Sequence, residues 1–177
     1  ERHLKQMKRN VVRLLSAALI VGALTAVAGL AVGFRASQAA RFMESSPYIG
    51  NKRCTARLNE APARGRFRFA VLGDIQAGIS QVPRIIDAVE RHGPPAFYVQ
   101  TGDAVSHPEQ GCYDTLLYQL AGCDLDRPMF FIPGNHDVDG ANAALFKRYF
   151  ESTRMWFKYC DALFVLLDAS NGAWTDD

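Results

Sequence analysis

The sequence predicts an α/β domain that follows a single membrane-spanning helix. Three observations predict this fold class: a long uncharged apolar block near the amino terminus, three short apolar strands that each end in glycine and polar residues, and helical stretches between those strands. Strands that alternate with single helices form right-handed crossover units, so we expect a largely parallel sheet covered by helices. A chain of 177 residues with 49% apolar content and a net charge of +2 indicates one globular domain.

The apolar block runs from Leu14 to Phe34 and contains no charged residue. About 20 apolar residues in a helix can cross about 30 Å of hydrocarbon, so residues 14–34 are predicted to be a transmembrane helix or signal anchor. Residues 1–13 form a basic tail, and this charge bias favours a cytoplasmic amino terminus. The prediction is a single-pass membrane protein whose domain lies on the exported, extracytoplasmic or periplasmic side.

A cleaved signal peptide is the alternative interpretation of the same block. The small residues of "SQAA", Ser37 to Ala40, stand at the spacing of a cleavage site. The apolar run is longer than the roughly 7 to 15 residues of a usual signal-peptide core, which favours the anchor.

Residues 35–64 are predicted to be a polar linker with one short helix at its start, because Pro47, Gly50 and Pro62 interrupt any long pattern. The domain is assigned to residues 65–177. Strands are predicted in Arg66–Asp74, Ala96–Asp103 and Pro128–Asp137, and each of these stretches ends in glycine and polar residues. Helices are predicted within Ser80–Gly93, Gly111–Cys123 and Gly140–Ser152. The stretches "MWFKYC" and "ALFVLLDAS" are predicted to form a hairpin that opens a second sheet.

All four cysteines follow the apolar block, where an oxidising compartment would permit disulfides in three possible connectivities. No CxxC motif or Cys/His ligand spacing is present, so a zinc-ribbon site has little support. Paired or free thiols are expected at Cys54, Cys112, Cys123 and Cys160.

Polar side chains stand at the carboxyl ends of the three predicted strands. They are Asp74 and Gln76, then Asp103, then Asn135 with His136. The carboxyl ends of parallel strands meet at one edge of a sheet, where ligands bind. Because carboxylates beside buried strands are costly without a partner, this group predicts a divalent cation such as manganese, iron or zinc. Taken singly, Asp74 or Asp103 could equally be an ordinary cap of a strand end or helix start.

The motifs "GDIQ" (Gly73–Gln76), "GD" (Gly102 and Asp103) and "GNHD" (Gly134–Asp137), in this order and about thirty residues apart, resemble the calcineurin-like metallophosphoesterases. The resemblance covers about residues 66–170. It implies a four-layer αββα sandwich of two sheets flanked by helices. The family supplies further histidines downstream, whereas no histidine follows Asp137. The alternatives are that another chain supplies the missing ligands or that the site is defunct; the most economical expectation is an incomplete catalytic domain that lacks the C-terminal half of the second sheet.

The resemblance also implies a role for each residue. Asp74 and Gln76 would bind one of two divalent metal ions, Asp103 would bridge both, and Asn135 would bind the second. His136 would stabilise charge or protonate the leaving oxygen while a metal-activated hydroxide attacks phosphorus. Gln76 stands where the family commonly has histidine, which leaves the metal open.

The predicted function is therefore that of a membrane-anchored, metal-dependent phosphoesterase, present as a fragment that is itself inactive. The alternative is a catalytically inactive phosphoesterase-like module tethered to the membrane. The predicted partners are a phosphate mono- or diester and, through residues 14–34, the membrane. Positive charge is not striped along the domain, so there is no nucleic-acid-binding signal. The sequence does not determine the oligomeric state. It also does not determine whether the substrate is a monoester, a diester, a nucleotide or a lipid headgroup.

Overall fold

A computed structural model of the chain describes residues 2–60 and 65–172. In chain order, the elements are α1 (Arg2–Ser45), α2 (Asn51–Glu60), β1 (Ala70–Leu72), a 3₁₀ segment (Ile75–Gln81), α3 (Val82–His92), β2 (Tyr98–Gln100), α4 (Gln110–Ala121), β3 (Met129–Phe131), α5 (Ala144–Phe150), β4 (Met155–Tyr159) and β5 (Ala162–Leu166).

The three strands that lead to the polar motifs form one parallel sheet in the order β1-β2-β3. Their register places Ala70 beside Tyr98, and Tyr98 beside Met129. Helix α3 connects β1 to β2 and α4 connects β2 to β3, while β4 and β5 pair as a separate antiparallel hairpin. The predicted α/β class, the parallel sheet and the hairpin are confirmed, whereas the four-layer sandwich and its incompleteness stay predictions.

Alternate residues of a strand point to opposite faces of the sheet, and both faces of β2 and β3 are buried, whereas Val71 of the edge strand β1 is exposed. Tyr98 and Phe131 face the core that contains α1, α3, α4 and α5. Phe97 and Phe130 face the core beneath α2 and the hairpin, where the Phe130 ring stacks on Phe157 with centroids 4.3 Å apart. Full burial of each such aromatic side chain contributes roughly 2–3 kcal/mol to folding, so the sheet is a rigid support for the loops at its edge.

The structure differs from the linker predicted over residues 35–64. Helix α1 continues to Ser45 and α2 follows it. Ile49 forms a parallel bridge to Met129, and the Asn51 amide donates to the Phe131 carbonyl and accepts from the Phe131 main-chain N–H. The prediction missed α2 because half of its residues are exposed and its buried residues are only Asn51, Cys54 and Leu58. Residues 61–64 lie outside the described residues.

Helix α1 is long and apolar enough, by length and composition, to be a membrane span or a signal sequence. The predicted block of residues 14–34 lies within it, and the large apolar side chains of this block are exposed rather than packed in the core. The last turns of α1 behave differently. Ala39 is fully buried, Phe42 and Met43 pack on the same core, and the Phe34 ring contacts Tyr118 of α4 edge-on at 6.4 Å.

Candidate functional site

The candidate site is built where β1 and β2 end. Both strands turn sharply there, because Asp74 and Asp103 adopt left-handed backbone conformations with φ of 52° and 56°. Such a conformation costs of order 1 kcal/mol or more for a residue with a side chain, and it persists where surrounding contacts enforce it. The contacts are two main-chain hydrogen bonds of 3.1 Å, from Asp74 N to Gly102 O and from Gln76 N to Asp103 O.

The loop after β3 approaches the loop after β2 so closely that only glycine fits. A Cβ added to Gly134 would overlap Asp103 Oδ1 and lie 2.5 Å from Asp103 N. Gly102 has a φ of 114°, and a Cβ there would lie 3.0 Å from the main chain of Gly134. The two glycines therefore bring the Asp103 carboxylate against the start of the "GNHD" loop.

A cavity of about 270 Å³ opens at this edge of the sheet. The structure brings Asp74, Asp103 and Asn135 together on its wall, as the parallel-sheet argument predicts. The remaining lining comes from the same loops and from the segment after β5: Thr101, Gly102, Pro133, Gly134, Ala169 and Ser170. In the segment after β5, Asp168 Oδ1 accepts hydrogen bonds from the main-chain N and the hydroxyl of Ser170.

Gln76 and His136 do not line this cavity. The Gln76 Oε1 atom is nevertheless buried and has no hydrogen-bond partner among the described residues. A buried amide oxygen without a donor is unfavourable by about 1–3 kcal/mol, which a cation at this position would offset.

His136 is exposed, and its ring Nδ1 lies 3.1 Å from the main-chain oxygen of Ser106. A carbonyl oxygen can only accept a hydrogen bond, so Nδ1 carries the proton and Nε2 is the ring atom left for a ligand. The main-chain N–H of His136 donates to Asp103 Oδ1 at 3.2 Å, which ties the main chain at His136 to the Asp103 carboxylate.

A family model for calcineurin-like phosphoesterases matches residues 67–174, which is more than half of the chain. The chain belongs to the calcineurin-like phosphoesterase family. A comparison with curated proteins gives no match. The matched range contains all five candidate site residues and begins well after α1.

Members of this phosphoesterase family generally bind two divalent metal ions. Among the residues that the structure describes, no group of three His, Cys, Asp or Glu side chains could hold a metal ion. The donors predicted from the sequence would instead be the Asp74 and Asp103 carboxylates and the Gln76 and Asn135 amides, of which Gln76 lies outside the cavity wall. Carboxylate and amide oxygens suit hard divalent cations, so these residues fit a metal such as manganese.

Asp137, the last residue of "GNHD", holds the phosphoesterase loops together. Its buried carboxylate accepts hydrogen bonds from Val105 N at 2.9 Å and from Gly134 N at 2.8 Å. Tyr113 donates its hydroxyl to the Asp137 main-chain oxygen. Burial raises the pKa of the Asp137 carboxyl, and the main-chain N–H donors oppose that rise. Its carboxylate therefore joins the loops after β2 and β3.

Sequence reasoning missed Gln100, the last residue of β2. Its side chain is fully buried and makes two hydrogen bonds to the main chain of Gly102, the residue before Asp103. The available signal was the position of this glutamine, which directly follows the apolar stretch "FYV" and precedes "TGD". A buried amide at such a position requires hydrogen-bond partners.

All four cysteines are free thiols in the structure. Cys54 is buried beneath α2, and its Sγ lies within hydrogen-bond distance of the main-chain oxygens of Tyr48 and Met129. Burial raises the pKa of this thiol to about 12. Its surroundings are those of a core residue and make no contact with the candidate site.

Proposed function

We propose that the protein is a membrane-anchored, metal-dependent phosphoesterase that hydrolyses a phosphate mono- or diester outside the cytoplasm. The observation that carries the proposal is the common cavity wall formed by Asp74, Asp103 and Asn135 at the carboxyl edge of a parallel sheet. Loops that force two aspartates into left-handed conformations to reach one cavity are built for a ligand that needs both carboxylates.

Asp74, Gln76, Asp103 and Asn135 would hold two divalent ions, with Asp103 placed between the other donors. The buried and unpaired Gln76 oxygen supports its inclusion. Bound divalent ions supply an activated water and neutralise negative charge on a phosphoester. Manganese, iron and zinc all remain candidates, and the all-oxygen donor set favours manganese.

His136 would act on the substrate rather than on the metal. Its Nδ1 donates to the Ser106 carbonyl, which fixes the ring and leaves Nε2 to face a phosphoryl or leaving-group oxygen. In the imidazolium form, Nε2 can donate a proton to the departing alkoxide, and such a positioned acid contributes about 10²- to 10⁴-fold to a rate.

Helix α1 would be a retained anchor rather than a cleaved signal peptide. The small residues Ser37 to Ala40 that resemble a cleavage site lie inside α1, and Ala39 among them is fully buried in the domain core. A further tie holds the end of the helix, because Arg53 donates to the main-chain oxygens of Met43 and Ser46. Cleavage there would remove packing from the folded domain.

The second candidate function is an inactive, membrane-tethered binding module. It is favoured by the lack, within the described ranges 2–60 and 65–172, of any metal-binding group of three His, Cys, Asp or Glu side chains. Metal stoichiometry separates the two candidates. An enzyme would bind two ions per chain and turn over a phosphoester, whereas a module would bind one ion or none and release no product.

The test uses the protein as its gene encodes it, purified in detergent, with Mn²⁺ and a matched pair of aryl phosphate mono- and diesters. We expect product release that requires Mn²⁺ and stops when a chelator is added. Asp103→Asn should lose both metal binding and turnover. His136→Ala should bind Mn²⁺ normally but turn over about 10²- to 10⁴-fold more slowly.

His92→Ala is the matched control, because His92 is an exposed histidine at the end of α3 and does not line the cavity. It should behave like the unmodified chain. Full turnover in His136→Ala would refute the role given to that histidine, and turnover without any metal would refute the metal-dependent reaction.

A further inference from the structure

Gln100 occupies a position where a parallel strand normally has an apolar side chain. It ends β2, the central strand, and its side chain is fully buried on the sheet face that Tyr98 also occupies. Burying an amide without partners costs about 1–3 kcal/mol, so this residue needs a structural reason to be polar. The reason lies two residues along the chain.

Both ends of the Gln100 amide bond the same residue. Nε2 donates to Gly102 O at 2.7 Å, and Gly102 N donates to Gln100 Oε1 at 3.0 Å. The pair of bonds fixes both peptide groups that flank Gly102. Without them the glycine, whose φ of 114° is open only to glycine, would be free to choose other conformations.

The orientation of Gly102 determines the positions of both candidate metal-binding aspartates. Asp103 follows it directly, and the Gly102 oxygen that Gln100 holds also accepts the hydrogen bond from Asp74 N. A rotated Gly102 peptide would therefore release Asp74 from the loop and turn the Asp103 carboxylate away from the cavity wall. Gln100 itself touches neither carboxylate and does not line the cavity.

We propose that Gln100 is a positioning residue of the metal site, whose side-chain amide clamps Gly102 so that Asp74 and Asp103 face one cavity. The effect on metal binding rests on the proposed function, whereas the effect of Gln100 on the conformation of the loop does not. Residues that orient metal ligands in this way typically change metal affinity by about 10- to 100-fold when they are replaced.

The test compares Gln100→Met, which keeps the length and removes both hydrogen bonds, with Val99→Ala. Val99 is buried in the same strand but faces the opposite core, so its truncation weakens the strand without touching the loop. Gln100→Glu is the second variant if Gln100→Met does not fold, because it keeps the volume and loses only the N–H donor.

Two measurements on the full-length chain separate the clamp from general stability. The first is the Mn²⁺ dissociation constant, followed by the electron paramagnetic resonance signal of free Mn²⁺. The second is hydrogen exchange of the Asp74 and Gln76 amides in metal-free protein, because these N–H groups donate to Gly102 O and Asp103 O.

Gln100→Met should weaken Mn²⁺ binding by about 10- to 100-fold and expose both amides to exchange, and Val99→Ala should do neither. Unchanged Mn²⁺ affinity and unchanged exchange at Asp74 and Gln76 would overturn the proposal. If the unmodified chain binds no Mn²⁺, the proposed function fails, and loss of amide protection in Gln100→Met still decides whether the clamp exists.

Discussion

Gly134→Ala is expected to damage the site more than any other single-methyl change in the loops. The added Cβ would overlap Asp103 Oδ1 and lie 2.5 Å from Asp103 N, which is a contact with main chain that cannot rotate away. Forcing a group into a filled space typically costs about 1–3 kcal/mol. For a chain of this length each kcal/mol lowers the melting temperature by about 2–4 °C, so we expect a fall of about 2–12 °C.

The assay is thermal unfolding of the metal-free chain in detergent, followed by near-ultraviolet circular dichroism of its aromatic core. Gly111→Ala is the matched control, because Gly111 lies in α4 and its added Cβ would meet nothing within 4 Å. Alanine is the better helix former by about 1 kcal/mol, so this variant should melt at the same temperature or slightly higher. If Gly134→Ala melts with the unmodified chain, the close approach of the two loops does not exist as described.

Three further predictions concern groups outside the cavity wall. Asp137→Asn should lower stability by about 1–3 kcal/mol in chemical denaturation, because one N–H of the new amide must face Val105 N or Gly134 N instead of accepting from it; an unchanged midpoint would contradict the bridge. Cys54, whose pKa is about 12 against an ordinary 9.0, should carry about a thousandfold less thiolate at pH 8 and resist iodoacetamide until the chain is unfolded; mass spectrometry of the labelled peptide decides, and rapid native labelling would show that the thiol is not buried. Ala39→Leu should destabilise the domain by about 1–3 kcal/mol by overfilling a closed space, whereas Ala31→Leu, at an exposed position in the same helix, should not; equal stability of the two variants in thermal unfolding would refute the packing of α1 on the domain.

The sequence predicted the sheet and its edge because those features depend on local patterns. The helical spacing of Val82, Ile86 and Val89 is visible without any tertiary information, and α3 lies there. The convergence of Asp74 and Asp103 follows from topology alone, since the carboxyl ends of neighbouring parallel strands share an edge. These parts of the prediction did not require knowledge of any particular contact.

Other features depend on contacts between residues distant in the chain. Asn51 and Phe131 are 80 positions apart, and nothing in the polar stretch around Asn51 indicates that its amide bonds the edge of the sheet. The bonding partners of Gln100 and Asp137 were hidden for a similar reason, because both side chains bond main-chain groups, which every residue type supplies. The hydrogen bond from the His136 ring to Ser106 O could not be predicted, because a residue of any type at position 106 would provide this main-chain acceptor. The role of His136 beside the substrate stays a prediction.

Helix α1 enters the domain without a break, and this continuity limits how the domain can move. From Phe34 to Ser45 the helix adds about 16 Å at 1.5 Å per residue, and its last turns are packed into the core. With α1 as the proposed anchor, the edge of the sheet that carries the candidate site would tilt and rotate together with the membrane-spanning part of the helix, as one rigid body. The length of the helix would set the distance between this edge and the membrane. Inserting or deleting one helical turn would therefore change which part of the membrane surface the edge can reach.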